Sequence, residues 1–250
     1  MEIRVAHWNV LNDWNAQPSK KLAGYKKQVD RLDDIARKIA EVRGESARFL
    51  IFLCEIIEPT HAEYLARNAG LLAIGDPTVY MTFDDIDQHG IFLADEETRS
   101  IAVQEVTAIN GSPDKMIGVD VGGLGVVGCH QRRLWTRSLI TDIGLRKSSA
   151  DEIKKRAPDI VVGDWNALPF FPLRLGLVRA GYSETHREDR PIFPNEYFRG
   201  KNIRSSYPDI SIDAMYHRDS VRPLRSGYGY STGADHPILS ADFEYQLDVA

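Results

Sequence analysis

Short apolar runs rich in β-branched residues recur along this chain from one end to the other, and they constrain its fold more than any other feature. They occupy residues 3–8, 49–54, 78–83, 90–93, 101–106, 116–121, 124–129, 160–162, 211–216 and 238–243. Helical patterns separate some of them. Over residues 25–42, Val29, Leu32, Ile35, Ala36, Ile39 and Ala40 repeat at three and four positions and form one buried stripe. Pro59 and Thr60 open a second helix, a third is predicted over residues 134–144, and a fourth over 150–157 is stopped by Pro158. Helix-separated strands at both ends predict crossover units, and the closely spaced strands between residues 78 and 129 predict antiparallel meanders. The expectation is an α/β protein with two central mixed β-sheets packed together and helices outside, in a single domain over residues 1–250. Residues 183–208, polar and marked by prolines, read as a long surface loop.

Composition narrows the function classes. With 250 residues, 43% hydrophobic and 27% charged, the chain can bury a full core, which excludes disorder, collagen and coiled coil. No apolar run is long enough to span a bilayer, and the first residues carry no signal-peptide pattern. Two cysteines, Cys54 and Cys129, are too few for a disulfide scaffold. A soluble, intracellular, cytoplasmic monomer without a membrane partner is expected. The net charge of −5 argues against a protein held to nucleic acid by overall charge, though a local basic site stays possible.

The chemistry lies in what ends these runs. Residues 3–8 are followed by Asn9, 49–54 by Glu55, 124–129 by His130, and 160–162 by Gly163-Asp164-Trp165-Asn166. The 211–216 run contains Asp213, and Asp235-His236-Pro237 precedes the last strand. Taken singly, each has a plain reading as a turn former or a solvated strand end. Together they would line one pocket with hard oxygen donors and two histidines.

At this point the chain resembles the endonuclease/exonuclease/phosphatase superfamily, the DNase I-like fold, along essentially its whole length. His7-Trp8-Asn9-Val10 is similar to the opening Trp-Asn motif, and Leu53-Cys54-Glu55 to the Gln-Glu motif, with Cys54 where Gln is usual. Gly128-Cys129-His130 is similar to an Asn-Thr-His segment, and Gly163-Asp164-Trp165-Asn166 to Gly-Asp-Phe-Asn. Residues 211–216 fall where Ile-Asp-Tyr-Ile-Phe is expected, with Ala214 in place of an aromatic. Ala234-Asp235-His236-Pro237 is similar to Ser-Asp-His-Arg-Pro. The resemblance implies a four-layer sandwich, two central mixed β-sheets flanked by helices, with a metal at one edge.

It also implies roles. Glu55 would be the principal ligand of a divalent cation, with Asn9 and Asp235 beside it; Mg²⁺ suits hard oxygen donors, and Mn²⁺ can substitute. Asp164 would orient and deprotonate the attacking water, Asn166 would bond a phosphate oxygen, and His236, oriented by Asp213, would meet the phosphate as a charged donor. His130 would supply a further contact to developing negative charge. Nucleic acid is the leading substrate, because basic and aromatic residues interleave around Arg132 and Arg133 and again around Arg199 and Arg204. A small phosphate ester, such as an inositol phosphate or nucleotide, is the alternative, and a silent binding module using the same pocket is a third.

Overall fold

In the computed structural model, residues 1–10, 28–83, 86–108, 115–131, 139–165, 172–186, 213–229 and 236–246 are described. Along the chain run β1 (Glu2–Asn9), α1 (Gln28–Arg43), β2 (Phe49–Ile56), α2 (Pro59–Ala69), β3 (Leu72–Phe83) and β4 (Ile86–Ala94). Then come α3 (Glu96–Ser100), β5 (Ala102–Ala108), β6 (Lys115–Val121), β7 (Leu124–His130), α4 (Leu139–Arg156) and β8 (Ile160–Asp164). The last elements are α5 (Pro172–Arg179), β9 (Ser183–Glu184), β10 (Asp213–His217), β11 (Arg222–Gly229) and β12 (Ile238–Glu244).

The strands form two six-stranded sheets, ordered β11-β12-β1-β2-β4-β3 and β5-β6-β7-β8-β10-β9. In each sheet the third and fourth strands are parallel (β1 with β2, β7 with β8) and every other pair is antiparallel. The predicted crossovers are therefore β1-α1-β2 and β7-α4-β8, and the meanders are β3-β4 and β5-β6-β7.

Strand alternation builds the layers. Ile3 and Val5 of β1 and Leu50 and Phe52 of β2 face Ile117, Val126, Val162 and Met215 of the other sheet in one core cluster. The opposite faces of the same strands, Ala6, Trp8, Ile51 and Leu53, pack on Leu32, Ile35 and Ile39 of α1 and Leu65 of α2. On the far side, Val127, Val161 and Tyr216 pack on Ile153 of α4 and Leu177 of α5. Helix, sheet, sheet, helix is the four-layer order expected. Phe52 is the wedge between the sheets: a Cβ on Gly128 would fall 2.4 Å from its ring and one on Gly90 3.0 Å.

Several elements differ from the sequence expectation. From residue 139 on, the third and fourth predicted helices are one, α4, since no residue between them breaks the turn and its end comes at Ala157 with φ 49 before Pro158; residues 134–138 of the third lie outside the described residues. The strand expected over residues 78–83 begins earlier, at Leu72, and β3 runs through Gly75-Asp76-Pro77, because an edge strand tolerates Pro where its register shifts between Ile74 and Thr78. β11 escapes apolar patterning because it is an exposed edge strand, and β9 lies within the stretch read as a loop. Among the described residues no helix is long and apolar enough to cross a membrane.

Candidate active site

Six polar residues named from the sequence, Asn9, Glu55, His130, Asp164, Asp213 and His236, come together at one edge of the sandwich. The topology requires it: the parallel pairs β1/β2 and β7/β8 end there, and their antiparallel neighbours β12 and β10 begin there. Asn9 continues the inward-facing series Ile3, Val5; His130 continues Leu124, Val126; Asp164 continues Ile160, Val162. Glu55 breaks its series. By alternation it would follow Ile51 and Leu53 toward the helices. Instead its backbone turns left-handed, φ 61, where the pairing of β2 with β4 shifts register between Leu53 and Ile56. This bulge re-aims the side chain into the crevice between the sheets.

The cluster is dense and buried. Asn9 Nδ2 donates to Glu55 Oε1 and to Asp164 Oδ2, each at 3.0 Å. His130 Nε2 lies 3.1 Å from Glu55 Oε1 and 3.4 Å from Asp164 Oδ2. On the other flank His236 Nδ1 lies 2.7 Å from Asp213 Oδ2 and 3.9 Å from Asp164 Oδ2. Asp164 belongs to both groups of potential ligand atoms, Glu55-His130-Asp164 and Asp164-Asp213-His236, whose atoms lie within 4.8 Å of one another.

The electrostatics follow from burial opposed by pairing. Burial pushes the Glu55 carboxyl up, but the His130 hydrogen bond, the charges of His130 and His236, and the Asn9 donor bring it down to about 2. Burial pushes His130 down, and its bonds to Asp164 and Glu55 raise it to about 9. Asp213 is likewise held well below the usual carboxylate range against its burial by His236 and His7. Burial pushes both Cys54 and Cys129 thiols up, so neither is a ready nucleophile.

The donor set fits a hard divalent cation. In the structure His130 stands between two buried carboxylates, Glu55 and Asp164, which favour its charged form, with an amide beside them. A site that binds one positive charge so tightly has the oxygen ligands that Mg²⁺ or Mn²⁺ favours.

Backbone around the site is gripped from the helix side. Trp8 Nε1 donates to the His236 carbonyl at 3.0 Å, and Trp165 Nε1 donates to the Ala214 carbonyl at 3.0 Å. Trp165 is fully buried, as its placement opposite Asp164 in alternation predicts. Arg146 of α4 donates to the Trp165 carbonyl at 2.9 Å, and Arg31 of α1 donates to the Val10 carbonyl. These arginines escape sequence reading because they sit in polar positions of helices. His7 also escapes it, although a histidine in the inward series Ile3, Val5, His7, Asn9 needs a polar partner, which is the signal that could have revealed it. Asn166, Asp235, Arg132, Arg133, Arg199 and Arg204 lie outside the described residues.

Solved structures align with the chain over nearly its whole length. An endonuclease/exonuclease/phosphatase from Bacteroides vulgatus matches with TM-score 0.68 at 12% identity, covering 98% of this chain and 100% of that one. A family protein from Bacteroides thetaiotaomicron matches with TM-score 0.66 at 13% identity, covering 99% of each chain. The fold is that of the endonuclease/exonuclease/phosphatase proteins. A mannosyl-6-phosphatase from Bacteroides thetaiotaomicron VPI-5482 shares this endonuclease/exonuclease/phosphatase fold, with TM-score 0.65 at 13% identity over 97% of this chain and 100% of that one. No protein-family model and no curated protein matches the sequence.

Proposed function

We propose that this chain is a divalent-metal-dependent phosphoester hydrolase that uses water as the nucleophile. One observation carries the reading: Asp164 is shared between a cation-ready group, Glu55 with Asn9 and His130, and a carboxylate-histidine pair, Asp213 with His236. Glu55 would hold the cation, with the Asn9 amide oxygen and Asp235 beside it. The bound cation would neutralise phosphate charge and the leaving oxygen.

The protein's own residues then divide the work. Asp164 orients a water and accepts its proton as the oxygen attacks phosphorus. His236 commits Nδ1 to Asp213, so Nε2 is the nitrogen that hydrogen-bonds a phosphate oxygen, with the Asp213 carboxylate 2.7 Å away favouring the imidazolium. His130, beside Glu55 and Asp164, would supply a further donor to the negative charge that develops on the phosphate. Asn166, two residues beyond Asp164, would bond a further phosphate oxygen.

A polynucleotide is the first substrate class, supported by the arginine-aromatic segments around Arg132, Arg133, Arg199 and Arg204. Likeness to a mannosyl-6-phosphatase favours a second, a small phosphate monoester. The test is turnover of labelled single- and double-stranded DNA, RNA, a hexose phosphate and a generic phosphodiester, with Mg²⁺ or with EDTA. Asp164→Ala should lose about 10²–10⁴-fold in rate and His236→Ala about 10²–10³-fold, with unchanged circular dichroism. Activity that persists in EDTA or in Asp164→Ala would overturn the proposal. Hydrolysis confined to the hexose phosphate would move the substrate to small esters.

A further inference from the structure

We propose that His7 is a positioning residue, which from the opening strand of one sheet fixes the Asp213 carboxylate of the other in the orientation that His236 requires. The inference rests on the hydrolase reading of the site and adds to it a residue that never meets the substrate.

His7 is fully buried on the inward face of β1, after Ile3 and Val5. Its Nε2 lies 3.1 Å from Asp213 Oδ1, while Asp213 Oδ2 is 2.7 Å from His236 Nδ1. The carboxylate can only accept, so His7 Nε2 carries the proton and donates. Among the described residues His7 Nδ1 is buried with no hydrogen-bond partner, which favours Nε2–H over Nδ1–H, because a proton on Nδ1 would find no acceptor there.

Each Asp213 oxygen thus has its own histidine. A donor from the opposite sheet, added to that of His236, restricts the swing of the carboxylate about its last torsion. His7 is itself fixed: its ring stacks on Phe52 at 5.8 Å between centroids and 21° between planes, and Phe52 is wedged between Gly90 and Gly128. Rigidity therefore passes from the inter-sheet core through His7 and Asp213 to His236.

Two variants and one spectrum test this. His7→Phe keeps the ring against Phe52 and deletes the donor; His7→Gln keeps an amide donor close to the place of Nε2. His7→Phe should lower kcat roughly tenfold to a hundredfold, the effect of removing one donor from a buried carboxylate. KM should move less than about threefold, because ground-state binding is untouched. His7→Gln should recover most of the rate. Independently of turnover, ¹⁵N-edited imidazole spectra of the wild-type protein should assign His7 as Nε2–H, and the His236 Nδ1 proton should shift in His7→Phe. Wild-type kcat in His7→Phe, a loss not rescued by glutamine, a His7 ring protonated at Nδ1, or an unmoved His236 proton would each overturn the inference. If the wild-type protein hydrolyses nothing, the hydrolase reading fails, and the spectra still decide whether His7 holds Asp213.

Discussion

Glu55 occupies the wrong side of the alternation that built its strand, and a left-handed backbone corrects it. A residue other than glycine in that conformation is strained by about 1–3 kcal/mol, which the two donors to its carboxylate, Asn9 and His130, help offset. Glu55→Gln should keep the bulge and abolish tight Mg²⁺ binding; calorimetry showing wild-type affinity would exclude Glu55 as the principal ligand. The neighbouring glycines set harder limits. A Cβ on Gly163 would lie 1.9 Å from the Cys129 carbonyl oxygen, a backbone atom that cannot swing aside. Gly163→Ala should therefore destabilise by more than the ~1–3 kcal/mol of ordinary overpacking and spread the strands carrying His130 and Asp164. A chemical-denaturation midpoint close to wild type would refute that close approach. Gly163 was legible in the sequence only as a member of a motif. Its reason, two strands touching at the site, needed the fold.

Elements deliver the site residues, and helices hold the deliveries in place. Arg146 reaches from α4 to the carbonyl just beyond Asp164. Arg146→Met keeps much of the stem and removes the donor, so a stability loss of ~1–3 kcal/mol is expected from the unpaired buried carbonyl. A concurrent fall in kcat would show that the grip on the turn matters to chemistry; an unchanged denaturation curve would show that it does not stabilise the fold. The sequence made the delivery legible and the grip illegible. Apolar runs ending in Asn9, Glu55, His130 and Asp164 are patterns of adjacent residues, and their meeting follows from parallel pairing. Arg146 and Arg31 act across elements, and a helix pattern does not distinguish a buried arginine from a solvated one. β11 was missed for the converse reason: an edge strand with little apolar surface to bury has no periodic signature.

At the scale of the whole molecule, both sheets repeat the same order of strand directions, and the buried charges sit where their parallel pairs end. That placement makes stability depend on pH. His130 lies at about 9 against an ordinary 6.5, so its contribution is complete below pH 6.5 and is lost as pH rises through 9. Glu55 lies at about 2 against 4.5, so its contribution is complete above pH 4.5 and is lost as pH falls through 2. In EDTA, denaturant midpoints should be highest between these limits and should decline toward pH 9; Mg²⁺ should raise them and shrink the alkaline decline. A profile in EDTA that is flat from pH 6 to pH 9 would contradict the His130 pairing. The first sheet also carries a consequence for the newborn chain. β12 lies between β11 and β1, pairing Glu2 with Glu244 and His7 with Leu239. β1 therefore keeps one open flank until β12, synthesised well after it, emerges from the ribosome and closes the sheet. Until then Trp8 lacks the His236 carbonyl it bonds, and a chain translated only as far as β11 lacks this hold on the site.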